Sequence, residues 1–328
     1  MTIIPCKKII NRLKKCFSFD HGKHCSVVVW LLIMILLSLF NSEYLFARDS
    51  VIVLNSDMSI ENYSLAHTEF KSMMVDLKDE IDLGSKWVNE KSIKKRIKKI
   101  DPDVIYCIGS KAYQMAYKFA KKKNLVFSLA INWRRLPMGK NTYGISNELH
   151  QGMQLMMHRY LFPDVNKIGV LYSKIYSEEW LNIAIENAKE VGIDIIGRHI
   201  SESDDIESAL DELLPEVDAL WLTPDPIVIS NVESVVKIFE QCEAVRKPVF
   251  AYNRTFANFG ATLIMSADIS TMGRQAAGIA LDILANKKVI ERVQNPAGSH
   301  IVLNLKKVDE YGINLNIEAL ESVNEIIR

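Results

Sequence analysis

"DALWLTPDPIV", residues 218–228, is the stretch on which the fold turns. Ala219 to Leu222 form an apolar and aromatic run, as a strand buried on both faces requires. The run breaks at Thr223-Pro224-Asp225-Pro226, and a helical pattern follows from Val228 to about Ala244. Pro226 suits the first turn of a helix, where its missing N–H costs nothing. A buried strand that turns directly into a helix is part of a βαβ unit, so the flanking chain should contain others.

It does, twice over. Strands are read at 51–57 (VIVLNSD), 103–110 (DVIYCIGS) and 125–132 (LVFSLAIN). Helices are read through Phe70, Met73, Met74 and Leu77, and from Lys111 to about Lys122. A second series places strands at 167–174 (KIGVLYSK), 194–200 (DIIGRHI), 218–225 and 247–253 (KPVFAYN). Its helices run over about Glu178–Val191 and Asp204–Leu214, before the one from Val228. Corresponding strands of the two series are offset by roughly 115 to 121 positions, a consistency unrelated strands would seldom show. The fold read from this pattern is α/β: two Rossmann-like lobes, each a parallel sheet flanked by helices, hinged around a ligand cleft.

In such sheets ligands bind beyond the carboxyl ends of the strands. The residues there are Asn55, Ser56, Asp57, Ser110, Lys111, Asn132, Trp133, Tyr172, Ser173, Thr223, Asp225, Tyr252 and Asn253, with Asp268 as a further acceptor. Trp133, Tyr172 and Tyr252 can sandwich a planar group or simply pack at a lobe edge. Asp57, Asp225 and Asp268 can accept from a ligand's donors, although Asp57 also suits a solvated turn. Thr223 and Asp225 are equally suited to cap the helix that follows them. Ser110 opens a helix, where its hydroxyl and the nearby N–H groups either hold a carboxylate or form an ordinary cap.

Composition narrows the function. The 328 residues carry 40 Lys+Arg and 40 Asp+Glu, so no basic excess points to nucleic acid. "KSIKKRIKKI" (91–100) spaces Ile93, Ile97 and Ile100 along one helical face, which leaves its lysines as a solvated face. No nucleotide-binding glycine fingerprint, P-loop or nucleophile elbow is present, which argues against an enzyme. The seven histidines lack metal-ligand spacing, and no cofactor or metal is expected. His150 and His158 read as surface or core residues. Of the five cysteines, Cys107 and Cys242 fall in the body as core thiols, with a disulfide between them left open.

The N-terminus reads as an export signal. Residues 1–25 are a basic, cytoplasmic segment, and 26–47 form a signal peptide or signal anchor around the uncharged run 26–42. That run would contact the membrane if uncleaved, and cleavage is left open. The body divides into a first lobe of 48–145 with part of 254–285, and a second of 146–253 with part of 286–328.

Several segments carry a resemblance: "IYCIGSKAYQMA" (105–116), "LFPDVNKIGVLYS" (161–173), "VDALWLTPDPIV" (217–228), "KPVFAYN" (247–253), "SADISTMGRQAAGIALDIL" (266–284) and "IVLNLKKVDEYGI" (301–313). Over about residues 50–315 the chain resembles ABC-transporter substrate-binding proteins of the type 1 periplasmic-binding fold, in particular the subfamily with aromatic amino-acid binders. The resemblance implies an exported solute-binding protein of an uptake system, with a small-molecule ligand and a permease partner in the inner membrane. It places the protein in the periplasm or on the outer face of the cytoplasmic membrane. The alternative is a membrane-tethered sensor lobe pair that signals to a partner.

The chain also departs from the family. Members commonly carry Asp-Pro after the strand at 125–131, where this chain has Asn132-Trp133-Arg134-Arg135. Ser110-Lys111 replaces a small pair, and Asn253-Arg254-Thr255 replaces an acidic turn. A carboxylate to receive an ammonium is thus missing at Asn132, while cations are added at Lys111 and Arg134. The implied ligand is amino-acid-like or a small carboxylate.

Overall fold

The computed structural model describes residues 50–328. The basic segment 1–25 and the whole signal region 26–47 lie outside the described residues. Among the described residues no helix is long and apolar enough to cross a membrane.

The chain begins with β1 (Val51–Asn55), α1 (Glu61–Met73), β2 (Leu77–Asp82) and α2 (Glu90–Ile100). It continues through β3 (Val104–Ile108), α3 (Ser110–Ala120), β4 (Asn124–Ser128) and β5 (Thr142–Ile145). A second series follows: α4 (Gln151–Leu161), β6 (Lys167–Tyr172), α5 (Lys174–Glu190), β7 (Asp194–His199) and α6 (Ile206–Leu213). Next come β8 (Ala219–Trp221), α7 (Val232–Ala244), β9 (Val249–Ala251) and β10 (Leu263–Ala267). The chain ends with α8 (Ile269–Leu284), β11 (Val293–Gln294), β12 (Ser299–Asn304), α9 (Leu305–Tyr311) and β13 (Glu325–Ile327).

Two sheets result, ordered β11-β5-β4-β3-β1-β2 and β13-β12-β10-β9-β8-β6-β7. The second order repeats the first, β6 standing for β1 and β8 for β3, so the sequence repeat is a repeat of topology. All pairings are parallel except β10 with β12. Each sheet is covered on both faces. In the first lobe α1 and α8 bury one face and α2 and α3 the other. In the second, α6 and α7 lie opposite α4, α5 and α9.

The chain crosses between lobes three times: from β5 into α4, from β10 into α8, and from β11 into β12. Each lobe therefore borrows a helix that follows the other lobe's fifth strand. Gly273 of α8 sits where an added Cβ would stand 2.6 Å from the Ala66 carbonyl oxygen, so α8 lies against the backbone of α1. The crossings are tied laterally, Ser146 Oγ to Asn295 Oδ1 at 3.3 Å and the Gln275 amide to the Asn295 carbonyl at 3.0 Å.

Some elements differ from expectation. Leu77 opens β2 and does not continue the preceding helix. β2 is an edge strand, LKDEID, in which Ile81 alone is fully buried, so it lacks the apolar run that marks a central strand. β8 is three residues long, because the prolines at 224 and 226 cannot donate to a ladder. The next helix starts at Val232, where Asn231 accepts from Ser234 N at 2.8 Å. α5 begins at Lys174, four residues before the expected start at Glu178. The lysine-rich helix behaves as its pattern implies: Ile93 and Ile97 are buried and a capping box of Asn89 and Ser92 opens it. Cys107 and Cys242 are free thiols buried in different lobes, which removes the disulfide.

Candidate functional site

In both lobes the sheet order reverses beside the first strand, and the loops after the first and third strands diverge to open a crevice. In the second lobe these are the loops after β6 and β8. Asp225 joins them. Fully buried, it accepts from Ser173 N at 2.7 Å and Ser173 Oγ at 2.8 Å, and from Ile227 N at 2.9 Å. This explains the carboxylate between two prolines: it fixes two strand–helix junctions to each other. Occupied on this side, the Ser173 hydroxyl does not cap α5, and no other side chain does. Among the described residues the first-turn amides of Lys174 and Ile175 have no acceptor.

The first lobe ties its junctions differently. Ser56 Oγ donates to the Ile108 carbonyl at 2.6 Å and accepts from Ala112 N at 3.0 Å, so the loop after β1 caps α3. Asn55, wholly buried, donates to the Tyr63 carbonyl at 3.0 Å and accepts from Asp57 N at 3.0 Å. Asp57 accepts from the Ser59 hydroxyl at 2.6 Å and its amide at 3.0 Å, which holds its carboxyl below the usual range. Ser110 Oγ donates to the Ile131 carbonyl at 3.2 Å, and Lys111 Nζ to the Leu83 carbonyl at 2.7 Å.

A cavity of about 400 Å³ opens between the lobes at the second crevice. The first lobe contributes Asn132, Arg134 and Arg135, and the crossing after β5 contributes Glu148 and Gln151. Opposite stand the first turns of α5, Lys174 to Trp180, and the β8 loop through Thr223, Pro224 and Pro226. Asn132, in the left-handed region at φ 51°, turns the chain into the short helical turn Trp133–Arg135. Arg134 pairs with both oxygens of Glu148, at 2.8 and 2.7 Å. Arg135 crosses the cleft: its guanidinium carbon lies 4.1 Å from the ring centroid of Tyr176 on α5. Thr223 is 3% exposed, and its hydroxyl has no partner among the described residues. An unsatisfied buried hydroxyl costs roughly 1–3 kcal/mol, so it is a feature to be explained.

Of the residues picked from sequence, Asn132 and Thr223 line this cavity, and Ser173 and Asp225 do not line it but tie together the two loops that do. The others lie elsewhere or point inward. Trp133 packs 6.2 Å from Phe127 with Arg134 at 4.7 Å from its own ring. Tyr172 meets His199 edge-on at 5.7 Å. Tyr252 packs 5.2 Å from Phe256, and burial pushes its phenol up to about 12. Asn253 caps its own turn through Thr255 N at 3.0 Å, and Asp268 caps α8 through Ser270 N at 3.2 Å. Glu148, Gln151, Lys174, Tyr176 and Trp180 line the cavity without having been singled out. The first two sit on a lobe crossing, not a strand end; Lys174 is read from sequence as the last residue of a strand, Tyr176 as loop and Trp180 as part of the following helix. Among the described residues no group of His, Cys, Asp or Glu is arranged to hold a metal ion.

Known proteins share this architecture. A tyrosine-binding protein of Clostridioides difficile is 23% identical over 230 residues, 67% of this chain and 63% of that protein's length. The ligand-free, open structure of a substrate binding protein with adhesive properties from Clostridium difficile superposes with a TM-score of 0.64 at 17% identity, covering 85% of this chain and 98% of that one. An ABC domain from Streptococcus pneumonia in complex with L-Trp gives a TM-score of 0.52 at 17% identity, covering 85% of this chain and 100% of the other. The family model for ABC transporter substrate binding proteins matches residues 83–327, and the chain belongs to that family.

Proposed function

We propose that the protein is the exported solute-binding component of an ABC-type uptake system, taking an amino-acid-like or small-carboxylate solute by closure of its two lobes. It binds and does not catalyse, and it hands its solute to a permease in the inner membrane. One observation carries the reading: the cavity at the second lobe's crevice is walled on its far side by Asn132, Arg134 and Arg135 of the first lobe. Neither lobe alone surrounds a solute there, so a solute touching both favours the closed arrangement and shifts the population toward it. Family membership and the tyrosine- and tryptophan-binding relatives support the solute class. Export rests on the basic segment before the apolar run 26–42.

Thermal unfolding against a panel of amino acids, small carboxylates, purines and sugars tests this. A solute at about a hundred times its dissociation constant adds roughly 2.7 kcal/mol of stability, a clear rise in Tm. A Tm unmoved by every compound at millimolar concentration would overturn the reading.

A further inference from the structure

We propose that the lysines of α2 and of the end of α3 form a membrane-contact face on the first lobe, which sits by charge against an anionic lipid surface. The face uses residues that solute binding leaves idle, and shares with that reading only the export segment.

The neutral whole hides a strong separation of charge. Residues 86–123 carry 12 Lys+Arg and 3 Asp+Glu, and the rest of the chain 28 and 37. α2 turns Ile93 and Ile97 into the core. Its other side exposes Lys94, Lys95, Lys98 and Lys99, and the turn after α3 exposes Lys121 and Lys122. None of the six is in an ion pair among the described residues. The carboxylates nearest in sequence are engaged elsewhere: Glu90 with Lys118 at 2.7 Å, and Asp101 with Lys123 at 2.9 Å. Those two pairs stand at opposite ends of α2, so they hold α3 beside it and join both sets of lysines into one face.

The entry of the chain points to what this face meets. The Ser50 amide and hydroxyl each donate to Asp103 Oδ2 at 3.0 Å, and the Ser50 carbonyl accepts from Asp103 N at 2.8 Å. Asp103 lies three residues past the end of α2, so β1 starts beside the basic face. Residues 43–49 join Ser50 to the uncharged run 26–42, a stretch of at most about 28 Å when fully extended. With that run in a bilayer, the lysines are tethered within reach of its surface. Near anionic headgroups each lysine strengthens contact about fivefold. Because Ile93 and Ile97 stay in the core, α2 cannot insert an apolar side as a free amphipathic helix does. The contact is one of charge alone, and salt screens it.

Both sheets and their buried layers lie within residues 50–328, so this body is tested without the apolar run, whose own insertion would mask the face. The body carries 33 Lys+Arg and 37 Asp+Glu, so its net charge opposes an anionic surface and only a local face can bind one. Co-sedimentation is measured with vesicles of phosphatidylcholine, with and without phosphatidylglycerol. Binding should need phosphatidylglycerol and weaken as salt is raised. Lys98→Gln with Lys99→Gln, and Lys121→Gln with Lys122→Gln, should each weaken it roughly 25-fold without moving Tm. Lys167→Gln with Lys237→Gln, exposed residues of the second lobe, should change it less than about twofold.

Equal binding to both kinds of vesicle, or none at low salt, would overturn the proposal. A control pair as costly as the paired substitutions on α2 and after α3 would do the same, since the charge would then act diffusely and not as a face. Retention of the body on poly-glutamate without binding to vesicles would also overturn it, and assign the face to an acidic protein. The rise of Tm with solute reports on the cavity alone, so either reading can fail without the other.

Discussion

The two lobes share one topology but close their strand–helix junctions with opposite logic. In the first, a hydroxyl from the β1 loop reaches across to the start of α3, so Ser56 caps that helix. In the second, a carboxylate from the β8 loop reaches back to the β6 loop, and Asp225 withdraws from α5 the hydroxyl that would have capped it. One hydroxyl thereby caps the third residue of its helix and the other does not, while both helix starts keep two first-turn amides without an acceptor among the described residues, Ser110 and Lys111 in α3 and Lys174 and Ile175 in α5. The borrowed helices differ as well. α8 meets the first lobe with small residues, Gly273, Ala276, Ala277 and Ala280. α4 meets the second with Leu155, His158 and Leu161, its histidine 4.6 Å from Phe250 and 5.0 Å from Trp221. A repeated topology fixes where helices go; the side chains at each junction differ between the two copies.

The sharpest way to break this comparison is Asp225→Ala. It strips acceptors from Ser173 N, Ser173 Oγ and Ile227 N in a site with no exposure. The expected loss is roughly 3–5 kcal/mol, since each buried donor left unsatisfied costs about 1–3 kcal/mol. Urea denaturation followed by circular dichroism measures it. A loss under about 1 kcal/mol would mean that Asp225 is not the strap described here.

The second test separates the lobes by pH. Burial among aromatic rings pushes His158 down to about 3, and neither ring nitrogen has a partner among the described residues. The unfolded chain protonates this residue near pH 6.5, the folded chain only near 3. Between those values the unfolded state binds the extra proton, so stability is full above about pH 6.5 and falls as the pH is lowered. At about 1.4 kcal/mol per pH unit, the loss from this group between pH 7 and pH 4 is on the order of 3 kcal/mol. Denaturation midpoints at the two pH values should therefore converge in His158→Phe, relative to the parent chain. An equal pH dependence in both would show that the histidine is not held neutral.

Sequence and structure agree most closely where burial dictates composition. β1, β3, β6 and β8 are central strands, so their apolar runs announced them, and the repeat announced their order. β2 escaped because an edge strand needs little more than Ile81 inside. Asn132 and Thr223 were legible as cavity residues because they follow strands. The contact of Arg135 with Tyr176 was not, since it depends on how far two lobes approach and no local pattern records that. Asp225 stood out for its chemistry, yet its role came with the partner it holds, on a loop 52 residues away. The start of α5 was missed although Ser173 stands at its N-cap position, because the strand was read on through Lys174.

Ser56→Ala gives the smallest effect and the finest test. Ser56 Oγ is buried between the Ile108 carbonyl and Ala112 N, so its removal orphans one amide. The carbonyl keeps a second donor, Ser56 N at 3.0 Å. With one group exposed to loss where Asp225→Ala exposes three, the expected cost is about 1 kcal/mol, near that of an ordinary N-cap deletion. Hydrogen exchange adds what stability alone does not show. Protection at Ala112 N should fall in Ser56→Ala. In the parent chain the amides of Ser110, Lys111, Lys174 and Ile175, which have no acceptor among the described residues, should exchange readily. If Ala112 N exchanged as fast in the parent chain as in Ser56→Ala, the hydroxyl would not act as a cap, and the asymmetry between the lobes would lie elsewhere.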